Sequence, residues 1–155
     1  MNSPTPESQR LAAFARAVRE STLKRLRRVP PGQENWRITP DAMSFADQAQ
    51  HLIDTDEWLF KKLAIKTLDP ILGEAGTVTV ADRAEYEVLL DALARSGARR
   101  NALLESLTAE QFDETIYDAR FDGEVSAWWI IVRGNLDHEI HHRGQIIAYL
   151  RALGG

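Results

Sequence analysis

The sequence predicts an all-α fold, a four-helix bundle with a short extended segment before the last helix, and three observations carry that reading. Good helix formers (Ala, Leu, Arg, Glu) dominate the 155 residues, while β-branched runs are short and scattered. Apolar residues recur at spacings of three and four through four long segments. Prolines and glycines cluster between those segments and mark the connections. With 44% hydrophobic residues, the whole chain, 1–155, reads as one helical bundle domain around one continuous core.

The first helix is expected from about Glu7 to Arg28, with Leu11, Phe14, Val18, Thr22, Leu26 and Val29 forming one buried stripe before Pro30, Pro31 and Gly32 end it. Ser44 followed by Asp47 offers an N-terminal cap to a second helix carrying Phe45, Ala49, Leu52, Leu59, Phe60 and Leu63. Asp69 and Pro70 open the next loop. A third helix is read from about Val80 to Leu107, with Tyr86, Leu90, Leu93, Gly97, Leu104 and Leu107 inward and with Arg99 and Arg100 in solvent. Thr115 to Val125 is too short for a helix and contains Asp122-Gly123, which suits a small hairpin or an extended crossover. Ser126 caps the fourth helix, which runs nearly to Gly154 and Gly155.

Composition narrows the chemistry. No stretch reaches the roughly 20 apolar residues that cross a bilayer, and the start has no apolar signal core, so the protein is read as cytoplasmic with no membrane partner. A net charge of −4 gives no general attraction to nucleic acid. The basic cluster Lys24, Arg25, Arg27 and Arg28 sits where cations favour the negative end of a helix dipole, which is preferred over a phosphate-binding patch. There is no cysteine, so a metal must use His, Asp or Glu, and a sulfur nucleophile must come from outside.

Three of the four histidines, His138, His141 and His142, fall on the last helix. Residues three or four apart lie one above the other, so His138 can converge with either neighbour on one ion. Projected at about 100° per residue, the apolar arc is Trp128, Trp129, Val132, Leu136, Ile140, Ile146, Ile147 and Leu150, and His138 stands at its edge. His142 turns toward that arc and His141 away from it. On the second helix His51 stands at the edge of its own stripe, beside Thr55 and Trp58. An H-x-x-x-H pair alone also fits ordinary surface histidines, and at this level both readings stand.

The segment His138-Glu-Ile-His-His142-Arg143-Gly144-Gln145 resembles the H-x-x-x-H-R-G-Q ending of DinB/YfiT-like proteins, and His51 in Ala46-Asp-Gln-Ala-Gln-His51-Leu-Ile-Asp54 matches their helix-two ligand. The resemblance implies a four-helix bundle in which His51, His138 and His142 hold a divalent metal, zinc or nickel ahead of manganese or iron, and a homodimer. It also implies a possible low-molecular-weight thiol cosubstrate (mycothiol, bacillithiol or glutathione), since the family includes thiol-dependent transferases and isomerases.

Three neutral imidazoles leave a dipositive ion with open coordination positions, the arrangement of a catalytic site. The expected reaction is S-transfer from the thiol to an electrophile; a hydrolase acting through water and a non-catalytic metal- or ligand-binding stress protein are the alternatives. Trp58, Thr55, Tyr149 and Trp128 are candidate pocket residues, although aromatics at helical spacing also serve as core. Arg143 projects into the apolar arc with Glu139 one turn before it, so the two are expected to form a structural ion pair. Asp54, one turn after His51, is read as solvated in preference to orienting that imidazole.

Overall fold

The computed structural model describes residues 5–66, 76–121 and 123–154, and the expected loop at Asp69 and Pro70 lies outside them. Helix α1 (Pro6–Arg27) is opened by Thr5, whose hydroxyl accepts a hydrogen bond from the Ser8 N–H while the Thr5 N–H donates to the Ser8 hydroxyl. Helix α2 (Phe45–Ile65) begins with the reciprocal Ser44–Asp47 box that the sequence signals, and α3 (Arg83–Ser106) is capped by Asp82. A single turn, α4 (Ala109–Phe112), leads into an antiparallel hairpin of β1 (Thr115–Asp118) and β2 (Gly123–Ser126), with Thr115 opposite Ser126 and Asp118 opposite Gly123. Gly123 has φ +106°, open to glycine and strained for other residues.

The last helix opens as α5 (Ala127–Trp129), runs with π-helical hydrogen bonds through Ile130–Leu136, and continues as α6 (Asp137–Ala152). That wide stretch corrects part of the projected arc. An i→i+5 turn takes in an additional residue, so the faces before and after it fall out of phase. Trp128 and Trp129 are therefore 38% and 39% exposed, and Ile130 and Ile131 take the buried positions. In α1, Phe14 is likewise exposed, while Ala12, Ala15 and Leu23 are inside.

Helix α3 packs against α1 and α2, and α6 packs against α1. The apolar interior forms two clusters. One gathers Leu23, Leu26, Phe45, Leu52, Leu90, Leu93 and Ile146, the other Ala12, Ala15, Trp58, Leu59, Leu104, Ile130 and Leu136. Along the long helices, buried polar residues lie between the clusters: Arg19 and Thr22, Asp56, Ser96 and Arg100, Asn135 and Glu139.

Those residues form one charge network. Arg19 donates from Nε and Nη2 to the Glu139 carboxylate at 3.0 and 2.8 Å and from Nη2 to Asp56 at 2.9 Å. Arg100 donates from Nη1 to Glu139 at 2.6 Å and to Asn135 Oδ1 at 3.0 Å, and from Nη2 to the Ala15 carbonyl at 2.9 Å. Thr22 and Ser96 add hydroxyl donors to Glu139 and Asp56. Burial alone would raise the Glu139 pKa, but the two guanidiniums outweigh it and push it down to about 2. Gly97 makes room for this layer, since a Cβ there would stand 2.9 Å from Arg19.

Two expectations are corrected here. Arg100 is fully buried, because its charge is matched by acids on α2 and α6 that lie far away in sequence. Glu139 is taken by Arg19 and Arg100, so the expected Glu139–Arg143 pair does not form, and Arg143 is half-buried.

Candidate metal centre

His51 on α2 and His138 and His142 on α6 face one another across the helix interface. His138 Nε2 lies 2.9 Å from His51 Nε2 and 3.2 Å from His142 Nε2, and the three ligand atoms all fall within 4.8 Å of one another. Nitrogen ligands of one tetrahedral ion with bonds of about 2.0–2.1 Å stand roughly 3.3 Å apart, so the donor set fits a single small divalent cation. His141 is exposed, with its Nε2 3.3 Å from Gln145 Nε2, outside this group.

The imidazoles are set in their neutral, ligating form. Burial first, then the neighbouring imidazoles and Arg120, hold His138 down to about 4. Burial and the other histidines hold His142 to about 3, and burial also lowers His51. A carbonyl-type oxygen fixes one tautomer: Gln48 Oε1 accepts from His142 Nδ1–H at 3.1 Å, which leaves the Nε2 lone pair facing the other two rings. Gln48 is fully buried and precedes His51 by three residues on α2. Sequence reading missed it, although that spacing places both side chains on one helix face. Gln48 Nε2 and His138 Nδ1 are buried without partners, so the centre still carries unused polar capacity.

The surroundings separate the candidate pocket residues. Trp58 is 3% exposed and lies against Gly134, where a Cβ would come within 2.7 Å of the indole. The Arg120 guanidinium, held by Asp118 at 3.2 Å, lies over the Trp58 ring at 4.3 Å. Thr55 turns back to donate to the His51 carbonyl at 2.8 Å. Tyr149 packs edge-on against Trp36 and Phe45, within the apolar cluster. Trp128 lines a groove with Glu7, Arg10, Leu11 and Phe14, a set that contains none of the histidines, because the π-helical stretch turns it outward. Asp54 accepts from Gln50 at 3.0 Å.

The charge layer positions the centre. Glu139 follows His138 directly, and Asp56 lies on α2 beyond His51, so the Arg19 and Arg100 bridges tie together the two helices that supply the ligands. No helix among the described residues is long and apolar enough to cross a membrane.

The chain is similar to known proteins in sequence and in fold. The sequence model of the DinB superfamily matches residues 15–146. A stretch of 71 residues is 34% identical to the uncharacterized protein YjoA of Bacillus subtilis, covering 45% of this chain and 46% of that protein, so the match spans less than half of that relative. The crystal structure of a DinB-like protein, YjoA from Bacillus subtilis, superposes with a TM-score of 0.72 over 94% of this chain and 92% of that one. Sequence identity over that superposition is 21%, and the likeness is one of fold.

Proposed function

The chain belongs to the DinB superfamily, and on that footing we propose that it is a metal-dependent S-transferase using a low-molecular-weight thiol. The observation that supports this most is the convergence of three neutral imidazole Nε2 atoms with no acidic side chain among them. A divalent ion bound by His51, His138 and His142 would supply Lewis-acid chemistry, favouring the deprotonated form of a thiol or water in its open position.

The chain's own residues do the rest. Gln48 keeps the His142 lone pair aimed at the centre. Arg120 of the hairpin, whose charge is felt at His138, brings positive charge suited to an anionic substrate group. Because the chain holds no cysteine, the sulfur comes with the cosubstrate. The thiol proton leaves to solvent, and the new bond joins sulfur to the carbon of the electrophile, whose electron pair moves to its leaving group or is protonated.

The test uses cobalt-loaded protein titrated with glutathione, bacillithiol or mycothiol. A sulfur-to-metal charge-transfer band that His138→Ala abolishes is expected. Hydrolysis of an ester or amide, with no thiol perturbing the spectrum, would replace this reading with the hydrolase one.

A further inference from the structure

Three arginines that the histidine centre does not use meet where α1 and α6 end side by side. Arg25 and Arg28 from the end of α1 and Arg151 from the last turn of α6 line a groove of about 300 Å³, floored by Ile147 and Leu150. Among the described residues lining it, none is acidic. Arg25 is half-buried beside the groove, and its Nε is covered by protein without a hydrogen-bond partner. Arg151 lies nine residues beyond His142, about 13 Å along the helix axis, so the groove is separate from the metal centre.

Basic residues at a helix end ordinarily answer the carbonyls of its last turn, but here those carbonyls are already served. Arg83 from α3 donates to the Val29 and Arg27 carbonyls at 2.6 and 3.1 Å, and the Arg28 and Val29 N–H groups close on Arg25 and Leu26. At the end of α6 the Leu153 and Gly154 N–H groups take the Tyr149, Leu150 and Arg151 carbonyls. What remains of the two helix dipoles is roughly −0.5 elementary charge each. Against three guanidiniums this leaves a surplus of about two positive charges.

We propose that this groove binds a small phosphate-bearing amphiphile, its head among Arg25, Arg28 and Arg151 and its apolar body on Ile147 and Leu150. A phosphate monoester carries about −1.5 to −2 at neutral pH, which matches the surplus, and its oxygens suit the guanidinium fork. The volume stands at the lower end of small-ligand sites, about 300–1,000 Å³, so the body is short.

The experiment is calorimetric titration of the full chain with hexyl phosphate, with inorganic phosphate and hexanol as references. Hexyl phosphate should bind tightest and weaken with salt. Arg28→Gln and Arg151→Gln, both at exposed positions, should each weaken it about tenfold or more, the usual weight of a charged hydrogen bond. Ile147→Asp should abolish the advantage over inorganic phosphate, and His142→Ala should leave binding unchanged. Flotation with phosphatidylcholine vesicles containing phosphatidic acid distinguishes the source: capture lost in the same arginine variants assigns a lipid headgroup, and no capture assigns a soluble phosphate ester. The proposal is overturned if no phosphate probe binds saturably, if binding survives both arginine variants, or if inorganic phosphate binds as tightly as its hexyl ester.

Discussion

Glu139 and His138 are neighbours on α6, yet they belong to two buried polar clusters of opposite character. Around Glu139, two acids and two arginines on four helices are mutually paired at 2.6–3.4 Å, with hydroxyl and amide groups filling in. Around His138, three basic nitrogens face one another, no acid among the described residues joins them, and polar atoms of His138 and Gln48 are buried without a protein partner. A buried cluster whose charges cancel holds helices in place. One whose basic nitrogens converge on a single point suits a cation. The first gives the second its rigidity.

The largest expected effect comes from breaking the charge layer. Arg100→Ala leaves Glu139 and Asp56 short of a buried counter-charge and should destabilise the protein by about 3–5 kcal/mol, read by denaturant or thermal unfolding with or without metal. A loss below about 1 kcal/mol would mean that the layer is a bystander.

The histidine cluster should behave the other way, gaining stability from what it binds. A divalent ion at about 100 times its dissociation constant should stabilise the chain by about 2.7 kcal/mol. His142→Ala should abolish that gain, and His141→Ala should retain it. Acid sharpens the contrast. Folded-state pKa values of about 4 for His138 and about 3 for His142 lie below the ordinary 6.5, so the unfolded chain takes up protons first. The stability held by the neutral cluster is thus present above pH 6.5 and drains as pH falls through 4 and 3. Metal titrations at pH 5 should still show binding; loss of binding near pH 6.5 would mark these as ordinary surface histidines.

A smaller effect is expected one step out from the ligands. Gln48→Ala frees the His142 ring to adopt the wrong tautomer and should weaken metal affinity about 10- to 100-fold while leaving the ligand set complete. Equal affinities for the two proteins would show that the Gln48 contact packs the ring without tuning it.

The two clusters were unequally legible in the sequence. The histidine cluster announces itself through a rare residue type at helical spacing, and projection against the apolar arc of the same helix is local enough to choose His142 over His141. The charge layer is invisible to the same reasoning, because its pairs join α1, α2, α3 and α6. Arg100, beside Arg99, reads as a solvated pair, and only its distant partners make burial tolerable. Trp128 and Trp129 were misplaced for a different reason: nothing in Ile130–Leu136 signals a π-helical stretch, and a uniform 100° projection cannot absorb one.

The smallest expected effect separates these two kinds of reading at one residue. By local rules Arg143 is the partner of Glu139, and Arg143→Ala would then orphan a buried carboxylate. In the fold that carboxylate already accepts from Arg19, Arg100 and Thr22. Removing Arg143 therefore leaves no buried charge unpaired, and its half-buried side chain gives up mainly the packing of its aliphatic stem. Unfolding of Arg143→Ala should show a loss under about 1 kcal/mol, within the range of substitutions that touch neither core nor network. The double variant with Arg100→Ala should show simple additivity, since the two residues share no partner. A loss of several kcal/mol from Arg143→Ala alone would restore the local pair and require Glu139 to turn away from Arg19 and Arg100.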